Sequence, residues 1–546
     1  MKYAIAIAIM LSLSFGLVTE SFRYQSTAQL FEDDYDLIFD PARIPEIQGS
    51  RLWTGLANFV TSDEELFSNN SQPYVLLGGM TYFNNLYPAG VYDRTSSKTP
   101  FYTGLNDPLG NEIYGEGTVT KINWNNPDSL GNYQDREVTT ETRKAFDASN
   151  SSDYYLAFGY KSEGFRFGLG YMHTDSKTTY TDPNDNYDYL NYLEDLSANA
   201  ITYKDSATST GDDILKSSEN EIIFSAWMDK EAVSFGASVS YSMLGSSSEA
   251  LINSYEAEYF DPSAPGHNYI ITSINDSSYL PQSGNEIDVE FKVFYNYNEN
   301  AQGRYYGGFF TRSMSYDDDA TQYYFETMEH DADPAMTNDT TTTITDYDGS
   351  FSSTGFRVGT KQLFSISDRF RFGIGLLWSN TSYDDSTTKM DTSSYVHRYD
   401  DGDTIPLMDT VLTQRSSETW VMTRTGSVNS FVIPVGVEFN LADPVVFRMG
   451  AIHTIAKNNL TTSYILTDWE AQVTHIVVDT LEYYYYQDPS ERPENTSEND
   501  ASTVAMTDYY YGLGWQVTDN LQLDLMGFRN ITDWANWKLS ATFHFD

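Results

Sequence analysis

Large apolar side chains recur at every second position in segment after segment of this chain. In 153–162 they are Tyr154, Leu156, Phe158 and Tyr160; after Ser162, Glu163 and Gly164 they resume as Phe165, Phe167, Leu169 and Tyr171. An extended backbone sends successive side chains to opposite faces, so each set shares one face and the two segments read as a hairpin. The pattern is cleaner in 231–243 (Val233, Phe235, Ala237, Val239, Tyr241, Met243) and 285–297 (Ile287, Val289, Phe291, Val293, Tyr295, Tyr297). It returns at 303–315, 352–364, 368–380, 428–440, 445–457, 505–517 and 519–530, and a segment from 220 is turn-linked to the one at 231. The last stretch, WKLSATFHFD, sets Trp537, Leu539, Ala541, Phe543 and Phe545 against Lys538, Ser540, Thr542 and His544.

Short and long connections alternate between these segments. Tight turns near 163, 299–302, 365–367, 441–444 and 518 are followed by long connections at 98–152, 175–219, 244–284, 316–351, 381–427 and 458–504, which are expected to be loops. Such segregation of loop length to one end suits an outer-membrane barrel, with short periplasmic turns and long extracellular loops. A descending C-terminal strand and six turn-linked pairs before it need an odd number of strands ahead of residue 152. Segments 51–60, 73–83 and 88–97 supply three. The expected fold is therefore an all-β transmembrane antiparallel barrel of about sixteen strands, with fourteen as the alternative.

Charge sharpens this picture. The chain has 78 Asp+Glu against 32 Lys+Arg and a net charge of -46, yet the alternating segments are close to neutral and the acid lies in the connections. No cysteine is present, which excludes disulfides, thiolate metal sites and a Cys nucleophile. The start, MKYAIAIAIMLSLSFGLVTES, has one basic residue and then an apolar run, the build of a secretory signal peptide over 1–21. Residues 22–50 then form a periplasmic segment or plug, and 51–546 the barrel.

The face opposite the apolar set is small or polar, as in Ser234, Gly236, Ser238, Ser240 and Ser242. Charged residues expected to face the lumen are Lys161, Arg166, Lys292, Arg357, Lys361, Arg371 and Arg448, with the acids Asp288, Glu290, Glu438 and Asp524. Three G-x-G pairs, Gly168/Gly170, Gly373/Gly375 and Gly512/Gly514, sit inside alternating strands, where they relieve crowding and do not bind phosphate. The seven histidines show no metal-ligand spacing and no nucleophile elbow is present, so neither a catalytic residue nor a resident cofactor is expected. Acidic stretches with Asp182 and Asp185, with Asp317, Asp318 and Asp319, and with Asp400, Asp401 and Asp403 read as solvated loop charge; their alternative is loose Ca²⁺ binding.

Ahead of the first strand, FEDDYDLIFDPARIPEIQGSRLWTGLANF (31–59) resembles the NPA segment of the FadL-like long-chain fatty-acid transporters of the outer membrane. Asp40, Pro41 and Ala42 stand at the turn, with Asp for Asn, and Ile44 and Ile47 in the apolar run that follows. The resemblance implies passive uptake of a poorly soluble molecule past an N-terminal plug; no ligand-binding residues carry over. The residues themselves point to a channel or transporter for small or hydrophobic solutes, not an enzyme. The alternative is a structural or adhesive surface barrel whose acidic loops bind partners or divalent cations. Partners expected are outer-membrane lipid, the barrel-assembly machinery and a small solute, without nucleic acid.

Overall fold

The structure is a computed structural model that describes residues 19–57, 74–127, 131–260, 268–332, 335–401, 409–478, 480–488, 491–528 and 538–545. Nearly all of the expected signal peptide lies outside these residues, as do Asp403, Trp537 and Asp546.

Sixteen strands form the wall, and each corresponds to one segment inferred from alternation. They are β1 (Ser50–Ala57), β2 (Tyr74–Met80), β3 (Leu86–Pro100), β4 (Phe146–Ser162), β5 (Phe165–Thr181), β6 (Ala200–Lys230), β7 (Val233–Phe260) and β8 (Tyr269–Asn298). The other half comprises β9 (Ala301–Tyr316), β10 (Ala335–Ser367), β11 (Phe370–Asp400), β12 (Thr410–Ala442), β13 (Val445–Val478), β14 (Thr496–Thr518), β15 (Leu521–Phe528) and β16 (Lys538–Phe545). Every strand pairs antiparallel with its predecessor and its successor. The ring closes where β16 meets β1, with Phe543 opposite Leu52 and Thr542 opposite Trp53.

At one end β4–β5, β6–β7, β8–β9, β10–β11, β12–β13 and β14–β15 are joined through two residues each, such as Glu163 and Gly164. Gly164 (φ 73°) and Glu231 (φ 49°) occupy the left-handed region these tight turns require.

At the other end the expectation of loops is corrected, because the long connections are mostly wall. Strand β13 runs for 34 residues and β10 and β12 for 33 each, where a bilayer needs only about 9–11. Five further strands, Glu116–Pro127, Tyr133–Lys144, Tyr187–Asp195, Thr321–Ala332 and Leu481–Tyr486, extend the same sheet beyond the ring. Water bathes both faces there, so the extensions carry no apolar stripe and are held by ladders and polar cross-strand pairs. Examples are Thr118 with Thr142 (2.8 Å), Ser176 with Ser217 (2.7 Å) and Thr343 with Ser393 (3.3 Å).

Near the turns the burial pattern is inverted relative to a soluble protein. Leu156 (55% exposed), Leu169 (53%) and Phe224 (52%) face outward, while Ser225 is fully buried. Tyr160, Phe165, Tyr295, Tyr297, Phe364, Phe439 and Trp515 form an exposed aromatic girdle close to the turns. An apolar belt with such a girdle around a closed ring is the surface that a bilayer covers.

Closure makes the last strand indispensable. Replacing Phe543 and Phe545 together by Ser is expected to abolish accumulation of folded barrel in the outer membrane, read as loss of heat-modifiable migration on a denaturing gel. Unchanged levels would show that the ring does not depend on this strand.

Candidate functional site

Residues 19–49 lie inside the turn end of the barrel as a plug made of short pieces. These are α1 (Phe22–Ser26), α2 (Asp34–Leu37) and a 3₁₀ helix (Pro41–Glu46). Ser21 caps α1 through its hydroxyl, Asp33 and Asp36 form a reciprocal capping box on α2, and Pro41 at the first turn starts the 3₁₀ helix. None is long enough to persist alone, so the wall must hold them.

Part of that hold is apolar. Tyr35, Ile38, Ile44 and Ile47 of the plug pack with Trp53, Leu76, Met80, Val91 and Tyr155 of the wall. The Tyr155 hydroxyl donates to the carbonyl of Ile38 (2.8 Å).

Backbone-to-backbone approach supplies the second part, and it explains the inward glycines. A Cβ on Gly168 would stand 2.1 Å from the Pro41 carbonyl carbon, and one on Gly436 would stand 2.2 Å from the Thr27 oxygen. Gly373 and Gly512 instead make room for plug side chains, those of Leu30 and Ser26. The glycines of the G-x-G pairs thus make room for the plug or for wall side chains, Pro434 and then Lys361 at Gly375 and Arg448 at Gly514.

Charge supplies the third. Arg23 forks onto Glu438 (2.7 and 2.8 Å), which also meets Arg448 at 3.2 Å and Arg371 at 3.5 Å. Arg448 in turn pairs with Asp524. Glu32 lies between Arg43 (3.0 Å) and Arg304 (2.8 Å), and Arg166 bridges Glu46 and Asp229. Lys361 donates to the Tyr24 hydroxyl (2.8 Å) and the Gln29 carbonyl (2.7 Å). Arg43, Arg166 and Arg304 also cover Trp227 and Phe294 at 4.8–5.7 Å from the ring centres.

The charged residues singled out in the sequence thus divide into groups. Arg166, Lys361, Glu438, Arg448 and Asp524 are buried against or just beside the plug; Arg371 is half exposed on Glu438. Asp288, Glu290, Lys292 and Arg357 line a cavity of about 160 Å³ with Asp40, Phe39, Glu221, Ile223, Ser238 and Ser240. Lys161 is exposed beside the β4–β5 turn. The acidic stretches sit on three different hairpins. Asp182 accepts from the Asn184 amide (2.8 Å), near Asp185, and Asp317 accepts from Ser283 (2.7 Å), with Asp318 and Asp319 in the same turn. Carboxylate oxygens of Asp400, Asp401 and Asp409 lie within 4.8 Å of one another.

Sequence reading missed Arg23, Glu32, Arg43, Glu46 and Arg304. The available signal was the density of charge among apolar residues in 22–47, which suits a segment that is buried but paired.

Two plug carboxylates are held against their ordinary state. Burial pushes Asp33 up to about 6, with the Asp524 charge adding and Arg23 and Arg448 opposing. Asp36 is also raised, by burial and by Asp33, although it accepts from the Ser21 amide (2.6 Å) and hydroxyl (2.7 Å). Burial would raise Glu32 too, but Arg304, Arg43 and Lys361 together bring it well below the usual range.

Fold and lumen define a membrane-spanning antiparallel β-barrel closed at its turn end by its own N-terminal segment. No protein-family profile and no curated protein matches the sequence. Among solved structures, the Ralstonia pickettii toluene transporter TbuX is similar at 10% identity over 97% of this chain and 99% of that chain, with a TM-score of 0.31. The FrpB iron transporter from Neisseria meningitidis is similar at 10% identity over 94% and 83%, with a TM-score of 0.30. For the copper transporter OprC the values are 9%, 91%, 80% and 0.27.

Two outcomes test how the plug is held. The chain has no cysteine, so Ser26→Cys provides a single buried reporter. Gly168→Val should raise its thiol-labelling rate roughly five- to hundredfold in a folded barrel, because overpacking costs about 1–3 kcal/mol. Labelling at the parent rate would show that the plug does not need this approach.

The second concerns pH. A carboxyl raised in the seated plug favours seating when protonated, so the contribution of Asp33 is fully present below the ordinary Asp value of about 3.9 and is lost as pH rises through about 6, and Asp36 acts in the same direction. Glu32 acts oppositely, but only below the ordinary Glu value of about 4.3. Labelling of Ser26→Cys, normalised to an exposed reference cysteine, should therefore rise from pH 4.5 to 6.5, and Asp33→Asn should flatten the rise. A flat parent profile would contradict the assignment.

Proposed function

We propose that this protein is an outer-membrane transporter, exported through a signal peptide, that admits a small solute by passive movement past its plug. The observation that carries the reading is how the plug is held. A segment that only thickened the wall would need an apolar contact. This one has apolar contacts and is also seated by charges paired across to the wall, Arg23 on Glu438 and Glu32 on Arg304, with the plug's own Arg43 beside Glu32. Glu438 keeps Arg448 and Arg371 when Arg23 leaves, so such a plug can shift as a body without unfolding the wall.

The surface-barrel reading finds its support at the far end, where Tyr483, Tyr484, Tyr485 and Tyr486 are all exposed on one short strand. Conductance separates the two. In planar bilayers the parent protein should give small or infrequent steps, and deletion of 22–47 should give large, stable ones. Glu438→Gln leaves Arg23 and Arg448 without their shared acid, a loss of roughly 3–5 kcal/mol for a broken buried pair, and should approach the deletion. A barrel that stays silent in all three forms would favour the surface role.

A further inference from the structure

The chain enters the lumen over three residues: Thr19 is exposed, Glu20 is half-buried and Ser21 is buried. Glu20 and Ser21 tie separate pieces of the plug together. The Ser21 amide and hydroxyl donate to the two carboxylate oxygens of Asp36 at 2.6 and 2.7 Å, which joins the start of α1 to α2. The same hydroxyl accepts from the Tyr24 amide (3.0 Å), and the Ser21 carbonyl accepts from the Gln25 amide (3.0 Å). Glu20 accepts from the side-chain amide of Gln25 at its carbonyl (2.8 Å) and from that of Gln29 at its carboxylate (2.6 Å).

Those bonds bear on where the signal peptide ends. Removal of such a leader requires small residues at the first and third positions before the cut. The sequence offers two pairs of this kind, Ser14 with Gly16 and Thr19 with Ser21. The cut precedes folding, so burial of Ser21 in the finished barrel shields neither bond; what differs is the plug that each cut leaves. A cut after Ser21 strips Asp36 of two donors, removes the cap from α1 and takes the Glu20 acceptors from Gln25 and Gln29. Partners lost inside the lumen destabilise the seat. A cut after Thr19 keeps these bonds but sets Leu17 at the third position, where a small residue is needed.

We propose that the leader is removed at the Gly16–Leu17 bond, so that the mature plug keeps Glu20 and Ser21. Water adds across that amide; Gly16 departs with the new carboxylate and Leu17 keeps the nitrogen as its α-ammonium. The leader released this way still holds Lys2 and the apolar run that starts at Ala4, the parts that export requires. The boundary moves from residue 21 to residue 16, and the processing site becomes the one that leaves the plug able to lock. This rests on the export part of the reading above and not on transport.

The test is mass spectrometry of the N-terminal peptide of the protein isolated from outer membranes of producing bacteria. The mature chain should begin Leu17, Val18, Thr19. A chain that begins at Phe22 or at Glu20 would overturn the proposal and leave export intact, whereas an uncut chain beginning at Met1 in the outer membrane would remove both. Two variants read the same choice by pulse-chase. Gly16→Leu puts bulk next to the cut and should slow processing of the precursor about tenfold or more; Ser21→Leu should be processed at the parent rate. The reverse pattern would overturn the assignment. In the mature barrel Ser21→Leu should also speed labelling of the Ser26→Cys reporter by about twofold or more, the lower end of what a helix cap is worth. Labelling at the parent rate would show that the plug does not use Ser21, and would remove the reason for preferring the earlier cut.

Discussion

A strand that crosses lipid must give every backbone N–H and C=O to a neighbouring strand, since nothing in the hydrocarbon can replace a missing partner. In this chain the obligation is met by a circuit of sixteen antiparallel pairs whose last link joins Ser50–Ala57 to Lys538–Phe545. Closure fixes the face that each alternating set must take. Leu156, Leu169 and Phe224 can stand in lipid only because Ser225, Gly168 and Arg166 stand in the lumen. The lumen is therefore rich in groups that require partners, and the N-terminal segment supplies them.

Plug and wall are complementary in shape as well as charge. Gly168 and Gly436 leave out a side chain where Pro41 and Thr27 pass. Nearby, guanidinium groups lie over Trp227 and Phe294 while pairing with Glu32 and Glu46. The same charges that would polarise an open channel hold the plug in this one. Those farther from the turns, Asp288, Glu290, Lys292 and Arg357, remain beside open volume.

Fold was legible in the sequence to the extent that lipid enforces alternation. Each wall strand crosses the belt with one apolar face, and that is the stretch where period two is visible, as at Tyr154, Leu156, Phe158 and Tyr160. Beyond the belt both faces are wet, Thr and Ser replace Phe and Leu, and the strands read as loops although they pair as regularly as before, as Thr337–Ile344 does with Thr392–Tyr399. The inward glycines were legible as spacers but not as spacers for something, because Gly436 and Thr27 meet only in three dimensions. Arg23 and Glu438 are 415 residues apart, and no local pattern announces such a pair.

The long wall strands have a consequence for how the molecule comes apart. Strand β13 has 34 residues, about 110 Å of extended chain at roughly 3.3 Å per residue, and the bilayer covers only a fraction of it. One set of strands thus runs through two media. The part in lipid cannot open without exposing bare backbone to hydrocarbon, whereas the part in water trades its ladder for solvent bonds at little cost per residue. Heat or denaturant therefore frays the collar downwards along continuous strands and stops at the membrane surface. The barrel has two melting regimes divided by a plane that no domain boundary marks.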